Sequence, residues 1–227
     1  MKTFAPALLL LTLPVMLCAQ ETLPLEKARP IVEQLQRSMS SLRSVYFEFV
    51  QERHLSLFAE PLRSEGVMLI EKPDRIRWET TAPYQSILLG DHKSVAQFEG
   101  AGGKWKKLNL GFPQMLQRVM EQMTLMHQGR LDALTSDYTV SVVTGSAPAI
   151  VLAPKDANIR SMLESIEMRM TPEFQAVREI VMKEPGGDFT RIIMRREQRD
   201  VTFPPGTFDQ NKPLDLGDLK NTLTHAP

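Results

Sequence analysis

Residues 66–91 read GVMLIEKPDRIRWETTAPYQSILLGD, and this stretch decides the fold. It reads as two or three antiparallel strands punctuated by Pro73 and Pro83, with Trp78 in a basic, strand-forming run. Proline cannot donate to a sheet ladder, so each one marks a strand start, a bulge or a corner and not a central strand position. Alternation puts Met68, Ile70 and Lys72 on one side of the first strand, and Ile76 with Trp78 on one side of the next. If the register carries through Pro73, both sets face the same way, and a long curved sheet built so offers one apolar concave surface.

Working outward, the order of elements is helix, strands, helix, strands. Leu25, Ala28, Val32, Leu35, Met39 and Leu42 recur at three- and four-residue steps and form one apolar helical stripe. Pro30 lies within it, so the helix either starts there or kinks. Strands are predicted over Val45–Leu57, Ser64–Glu71, Arg75–Thr80, Tyr84–Gly90, Ser94–Phe98 and Lys104–Leu108. Residues from Pro113 to about Arg130 are helical again, with Leu116, Val119, Met120, Met123 and Met126 on one face. Further strands follow at Tyr138–Val143, Ile150–Ala153, Ser165–Met170, Ala176–Lys183 and Phe189–Arg196, joined by turns such as Glu184–Asp188. The expected class is α+β, mainly β, with one large curved antiparallel sheet and few, separate helices.

The first 19 residues read as a secretory signal peptide. Lys2 supplies the positive start, Phe4 to Leu17 an apolar run too short to span a membrane, and Ala19 a small residue for cleavage. Cys18, the only cysteine, offers a rival reading as a lipidated N-terminus, but Leu17 stands where a lipobox wants a small residue. Cleavage after Ala19 leaves an exported chain with no cysteine, held by its core alone. Residues 20–211 are then one domain, and 212–227 a polar, loosely held tail. The 27 basic residues balance 27 acidic ones. Such neutrality argues against nucleic acid, which needs a basic surplus.

Enzyme motifs do not emerge. His54, His92, His127 and His225 lack metal-ligand spacing, Ser146 lacks a nucleophile elbow, and the glycines at 100, 102 and 103 suit a hairpin loop. The expectation is a protein without catalytic residues, metal or cofactor. The methionines at 115, 120, 123 and 126 carry two readings. One is a helix packed on the sheet, with methionine filling gaps in a core; the other is a movable lid over a cavity for alkyl chains. Trp78 is equally ambiguous, as core or as ligand contact. Composition does not choose between them.

Four patterns in order resemble the periplasmic outer-membrane lipoprotein carrier family, the LolA type. They are Phe49-x-Gln51, the 66–91 segment, Leu152-Ala153-Pro154-Lys155, and Phe203-Pro204-Pro205-Gly206. The resemblance covers most of the chain after the signal peptide. It implies an incompletely closed antiparallel barrel whose concave face is covered by helices. It also implies a monomeric periplasmic carrier that takes a lipoprotein from an inner-membrane ATP-driven transporter, shields its acyl chains, and delivers it to an outer-membrane acceptor. Each methylene gains roughly 0.8 kcal/mol on leaving water, so lipidated cargo needs such shielding.

The residues expected to form the cavity and its lid are Phe49, Met68, Ile70, Lys72, Ile76, Trp78, Met120 and Met123. A charge at Ile76 is expected to abolish lipid binding while sparing the fold. The family's carriers often have arginine just before the first proline, helping to latch the lid; here the residue is Lys72. Ala96 and Phe98 stand where aromatics of the following strand fall in the carriers, and His92 follows Asp91 where glycine is common. These departures fit a paralogue that carries another lipid, and the alternative within the same fold is a carrier or sensor of another lipid or glycolipid. An exported hydrolase using the same cavity is the alternative from another class.

Overall fold

The computed structural model describes residues 20–101, 104–110 and 113–215. The expected signal peptide with Cys18, Gly102, Gly103, and the tail beyond residue 215 with His225 lie outside the described residues. Among the described residues, twelve strands form one antiparallel sheet. In the first half of the chain they are β1 (Thr22–Pro24), β2 (Ser44–His54), β3 (Leu62–Glu71), β4 (Arg75–Ala82), β5 (Gln85–Gly90), β6 (Val95–Ala101) and β7 (Lys104–Lys107). In the second half they are β8 (Tyr138–Val143), β9 (Ala149–Pro154), β10 (Ser165–Met170), β11 (Val177–Lys183) and β12 (Phe189–Arg199). The spatial order is β1-β8-β9-β10-β11-β12-β2-β3-β4-β5-β6-β7, so the sheet is not closed into a barrel.

Pro73 and Pro83 both fall in turns, after β3 and after β4. The first turn returns the chain in register: Met68 lies opposite Trp78 and Ile70 opposite Ile76. Opposed residues in an antiparallel pair share a face, so all four side chains point to the same side. Among the described residues, four helices accompany the sheet: α1 (Arg29–Ser40), α2 (Pro113–His127), α3 (Leu131–Leu134) and α4 (Ala157–Arg160). Pro30 sits in the first turn of α1, where its missing N–H costs no helical bond, and Leu25 and Ala28 belong to the turn just before. Val32, Leu35 and Met39 of α1 are buried against the sheet.

The sheet has two covered faces around β3. On the helix side, α1, α2 and α3 pack over Phe49, Met68, Ile70 and Ile76 in the main core. On the opposite side, Tyr46, Val67 and Leu69 pack against Phe203, Val201, Phe208 and Leu214 from the segment that follows β12. This explains why residues 66–70 are all buried and read as a continuous apolar run. Packing continues past the expected domain end at 211, since Pro213 is buried and Leu214 joins this second cluster.

Arg77 and Glu79 point to that outer face and are fully buried beneath the C-terminal segment. Arg77 donates from Nε and Nη2 to Glu79 Oε2 at 2.8 and 2.5 Å, and reaches the carbonyls of Thr207 and Leu214. A buried charge requires such pairing. Nearby, burial pushes the Tyr46 phenol up to about 12, with the Glu48 and Glu79 carboxylates adding to the shift and Arg196 opposing it.

Candidate functional site

An apolar cavity of about 80 Å³ lies between the helix-side face of the sheet and the two longer helices. β2 and β3 supply Val45, Phe47, Met68 and Ile70, and β10 to β12 supply Met168, Val177, Ile180 and Met194. The roof is Met39 from α1 with Leu42 just beyond it, and Met123 and Met126 from α2. Six of these side chains are methionines. Thioethers on three flexible bonds can repack around different shapes, or close on one another, at low cost. Ligand pockets usually measure about 300–1,000 Å³, so a cavity of this size would have to widen before it could hold an alkyl chain.

The eight residues singled out from the sequence fall into three groups. Met68, Ile70 and Met123 line the cavity directly. Phe49, Ile76, Trp78 and Met120 stand outside its lining, in or against the adjoining core. Ile76 is 0% exposed, so a charge there would enter packed core and strike the fold itself. Trp78 is half-buried, with its ring edge-on to Phe49 at 5.3 Å between centroids. That contact explains Gly66, which pairs with Phe49: a Cβ there would meet Phe49 Cζ at 2.7 Å and the Glu79 carbonyl oxygen at 1.9 Å. The side chains of Met115, Leu116, Val119 and His127 lie outside the described residues.

Lys72 forms the third group. Its Nζ donates to the carbonyls of Met39 and Ser40, both at 2.8 Å, at the C-terminus of α1. The last carbonyls of a helix lack partners within it and carry partial negative charge, so an ammonium there is doubly favoured. Burial draws the Lys72 pKa below the ordinary lysine value, an effect that Asp200 opposes.

Helix α2 is seated by side-chain amides and one glycine. Gln117 and Gln128 donate to the carbonyls of His92 and Pro73, at 3.0 and 2.7 Å, and Tyr138 donates to Gln122 Oε1 at 2.9 Å. Met120 rests on Gly90 of β5, where a Cβ would come within 2.9 Å of its Cε and 3.1 Å of its Cγ.

Sequence reasoning missed Met39, Met168 and Met194 as lining residues, because they lie on three elements far apart in the chain. It also missed Glu197, which borders the cavity at the end of β12. Two of the histidines have structural surroundings: His54 stacks on Phe189 at 4.2 Å, and His92 pairs with Asp74. Among the described residues, no group of three or more His, Cys, Asp or Glu could hold a metal ion, and no helix is long and apolar enough to cross a membrane.

The family described as outer membrane lipoprotein carrier protein LolA matches residues 40–211, well over half of the chain. An outer-membrane lipoprotein carrier protein from Chromohalobacter salexigens is 25% identical over 130 residues, 57% of this chain. The match spans 58% of that relative's length. Among solved structures, a DUF1329 family protein from Desulfovibrio piger aligns at a TM-score of 0.48 and 8% identity, over 83% of this chain and 98% of that one. A LolA superfamily protein from Nitrosomonas europaea aligns at a TM-score of 0.44 and 10% identity, over 81% of this chain and 98% of that one.

Proposed function

This chain belongs to the outer membrane lipoprotein carrier protein LolA family, and we propose that it shields the acyl chains of a lipoprotein in the methionine-lined cavity and carries them through the periplasm. The cargo passes from an inner-membrane ATP-driven transporter to an acceptor at the outer membrane. The observation that carries this reading is the cavity itself, walled by the sheet, roofed by α1 and α2, and lined by six methionines.

The energetics are favourable. A twelve-carbon chain moved out of water gains roughly 10 kcal/mol at about 0.8 kcal/mol per methylene. That gain is set against parting a roof held by polar contacts worth about 1 kcal/mol each and by the burial of Met39 and Met120 in the main core, and the bound chain restores apolar contact to the side chains it displaces. The mechanism needs no bond chemistry: cargo opens the roof, the roof closes over the chains, and an acceptor with greater affinity draws them out. Phe49, Ile76, Trp78 and Met120 back the wall and roof, while Met68, Ile70 and Met123 touch the chain. Lys72 latches the roof.

Mass spectrometry of the protein purified from its own periplasm tests the reading. It is expected to release an acylated species in one-to-one proportion. A protein that carries none, and that after solvent extraction fails to bind a triacylated lipopeptide, sinks it.

A further inference from the structure

Among the described residues, Glu197 is the one charged residue in the lining of an otherwise apolar cavity. Its position depends on a break in strand β12. Arg195 pairs with Glu48 and Gln198 with Tyr46, so Arg196 and Glu197 together oppose the single residue Phe47. This is a β-bulge, one extra residue that re-aims the side chains around it.

Simple alternation from Met194, which lines the cavity, would turn Arg196 inward and Glu197 outward. Instead Arg196 takes a left-handed φ of 51° and donates to Glu48 on the outer face at 3.0 Å, while Glu197 faces the cavity. A non-glycine residue in that conformation costs free energy and is concentrated at functional positions. Arg199 then holds the carboxylate in place, donating from Nε to Glu197 Oε1 at 2.6 Å and from Nη2 to the Gln175 carbonyl at 3.2 Å. The Glu197 side chain remains 29% exposed. The cavity therefore has an apolar body and, at one end, a carboxylate paired with Arg199.

We propose that Glu197 is the headgroup contact of this cavity, accepting a hydrogen bond from an N–H, amide or ammonium, at the polar end of the bound acyl chain, and discriminating against carboxylate-headed chains. This rests on the carrier reading and adds the class of amphiphile it selects. Lys72 is directed to the α1 carbonyls and Arg43 to Asp200, while Arg199 is committed to the Glu197 carboxylate and the Gln175 carbonyl. A free fatty acid would meet a carboxylate of its own sign, whereas an N–H donor would form a charge-assisted bond.

The test is competition between dodecylammonium and dodecanoate, below their micelle concentrations, against a neutral naphthylamine dye in the cavity. The native protein is expected to bind the ammonium roughly tenfold tighter or more, the scale of one charge-assisted hydrogen bond. Glu197→Gln should bring the ratio close to one, each variant's two affinities being read against its own affinity for the dye. Arg199→Gln should move the ratio the opposite way, since it leaves the carboxylate without its guanidinium. Equal binding of the two by the native protein, a preference for dodecanoate, or a preference that survives Glu197→Gln overturns the proposal while leaving the carrier reading intact. Failure of the native protein to bind the neutral dye instead defeats the carrier reading, and this proposal with it.

Discussion

Lys72 joins a strand end to a helix end, and its value lies in being weak. Two hydrogen bonds from a half-buried ammonium to carbonyls contribute about 1–2 kcal/mol net, enough to bias an opening equilibrium roughly tenfold but not to lock it. Lys72→Leu is expected to speed release of a bound acyl probe to acceptor liposomes severalfold while lowering Tm by only a few degrees. Release at the parental rate would show that Lys72 is a solvated charge without a latch role. Arginine at this position would place a planar, multi-donor group on the same carbonyls, and Lys72→Arg should slow release.

At the scale of elements, the proposed function makes α2 the movable part of the roof, and Met120 of that helix rests on Gly90. A methyl group at 90 would press on Met120, and because Cγ as well as the flexible Cε lies near, the helix must give by a few tenths of an ångström. Gly90→Ala should therefore cost about 1 kcal/mol and raise amide exchange across α2 more than across the central strands. Unchanged protection of α2 would place the hinge of the roof elsewhere.

The sheet was largely legible in the residues. Strand-forming composition at 64–71 and 75–80, with a proline in each following turn, predicts β3 and β4, and the condition that the register carry through Pro73 is met, with Met68 opposite Trp78 and Ile70 opposite Ile76. Other features were not legible, each for a physical reason. The bulge at 195–198 changes the face of Glu197 without altering strand composition, and a one-residue step reverses every assignment after it. The short helices α3 and α4 carry too few residues for a periodic signal. Ile76 and Met68 share a face, yet one is sealed in core and the other lines the cavity. Alternation gives the face and not the depth beneath the helices.

Across the whole molecule, the C-terminal segment completes the rear of the cavity wall. Periodicity cannot announce it, because it is a proline-punctuated strap without regular structure between residues 201 and 215. Arg77 and Glu79 read as an ordinary solvent face until that strap covers them. Replacing Arg77 by Leu leaves Glu79 buried without its arginine and the Thr207 and Leu214 carbonyls without that donor. The expected cost is about 3–5 kcal/mol, a fall in Tm of roughly 10 °C. Adding Glu79→Leu should recover much of it, since a well-packed apolar pair avoids the desolvation of two charges. A double variant no more stable than Arg77→Leu alone would mean that the strap depends on the charges themselves.

The central claim is that acyl chains occupy the space between the sheet and the two helices. Photo-cross-linking tests it most directly, using a triacylated lipopeptide with a diazirine near the chain end and mapping the adducts by mass spectrometry. Adducts are expected on Met39, Met68, Met123, Met126, Met168 and Met194, all suppressed by unlabelled lipopeptide. Adducts confined to the outer face, around Phe203 and Phe208, or adducts that unlabelled lipopeptide fails to suppress, would contradict it.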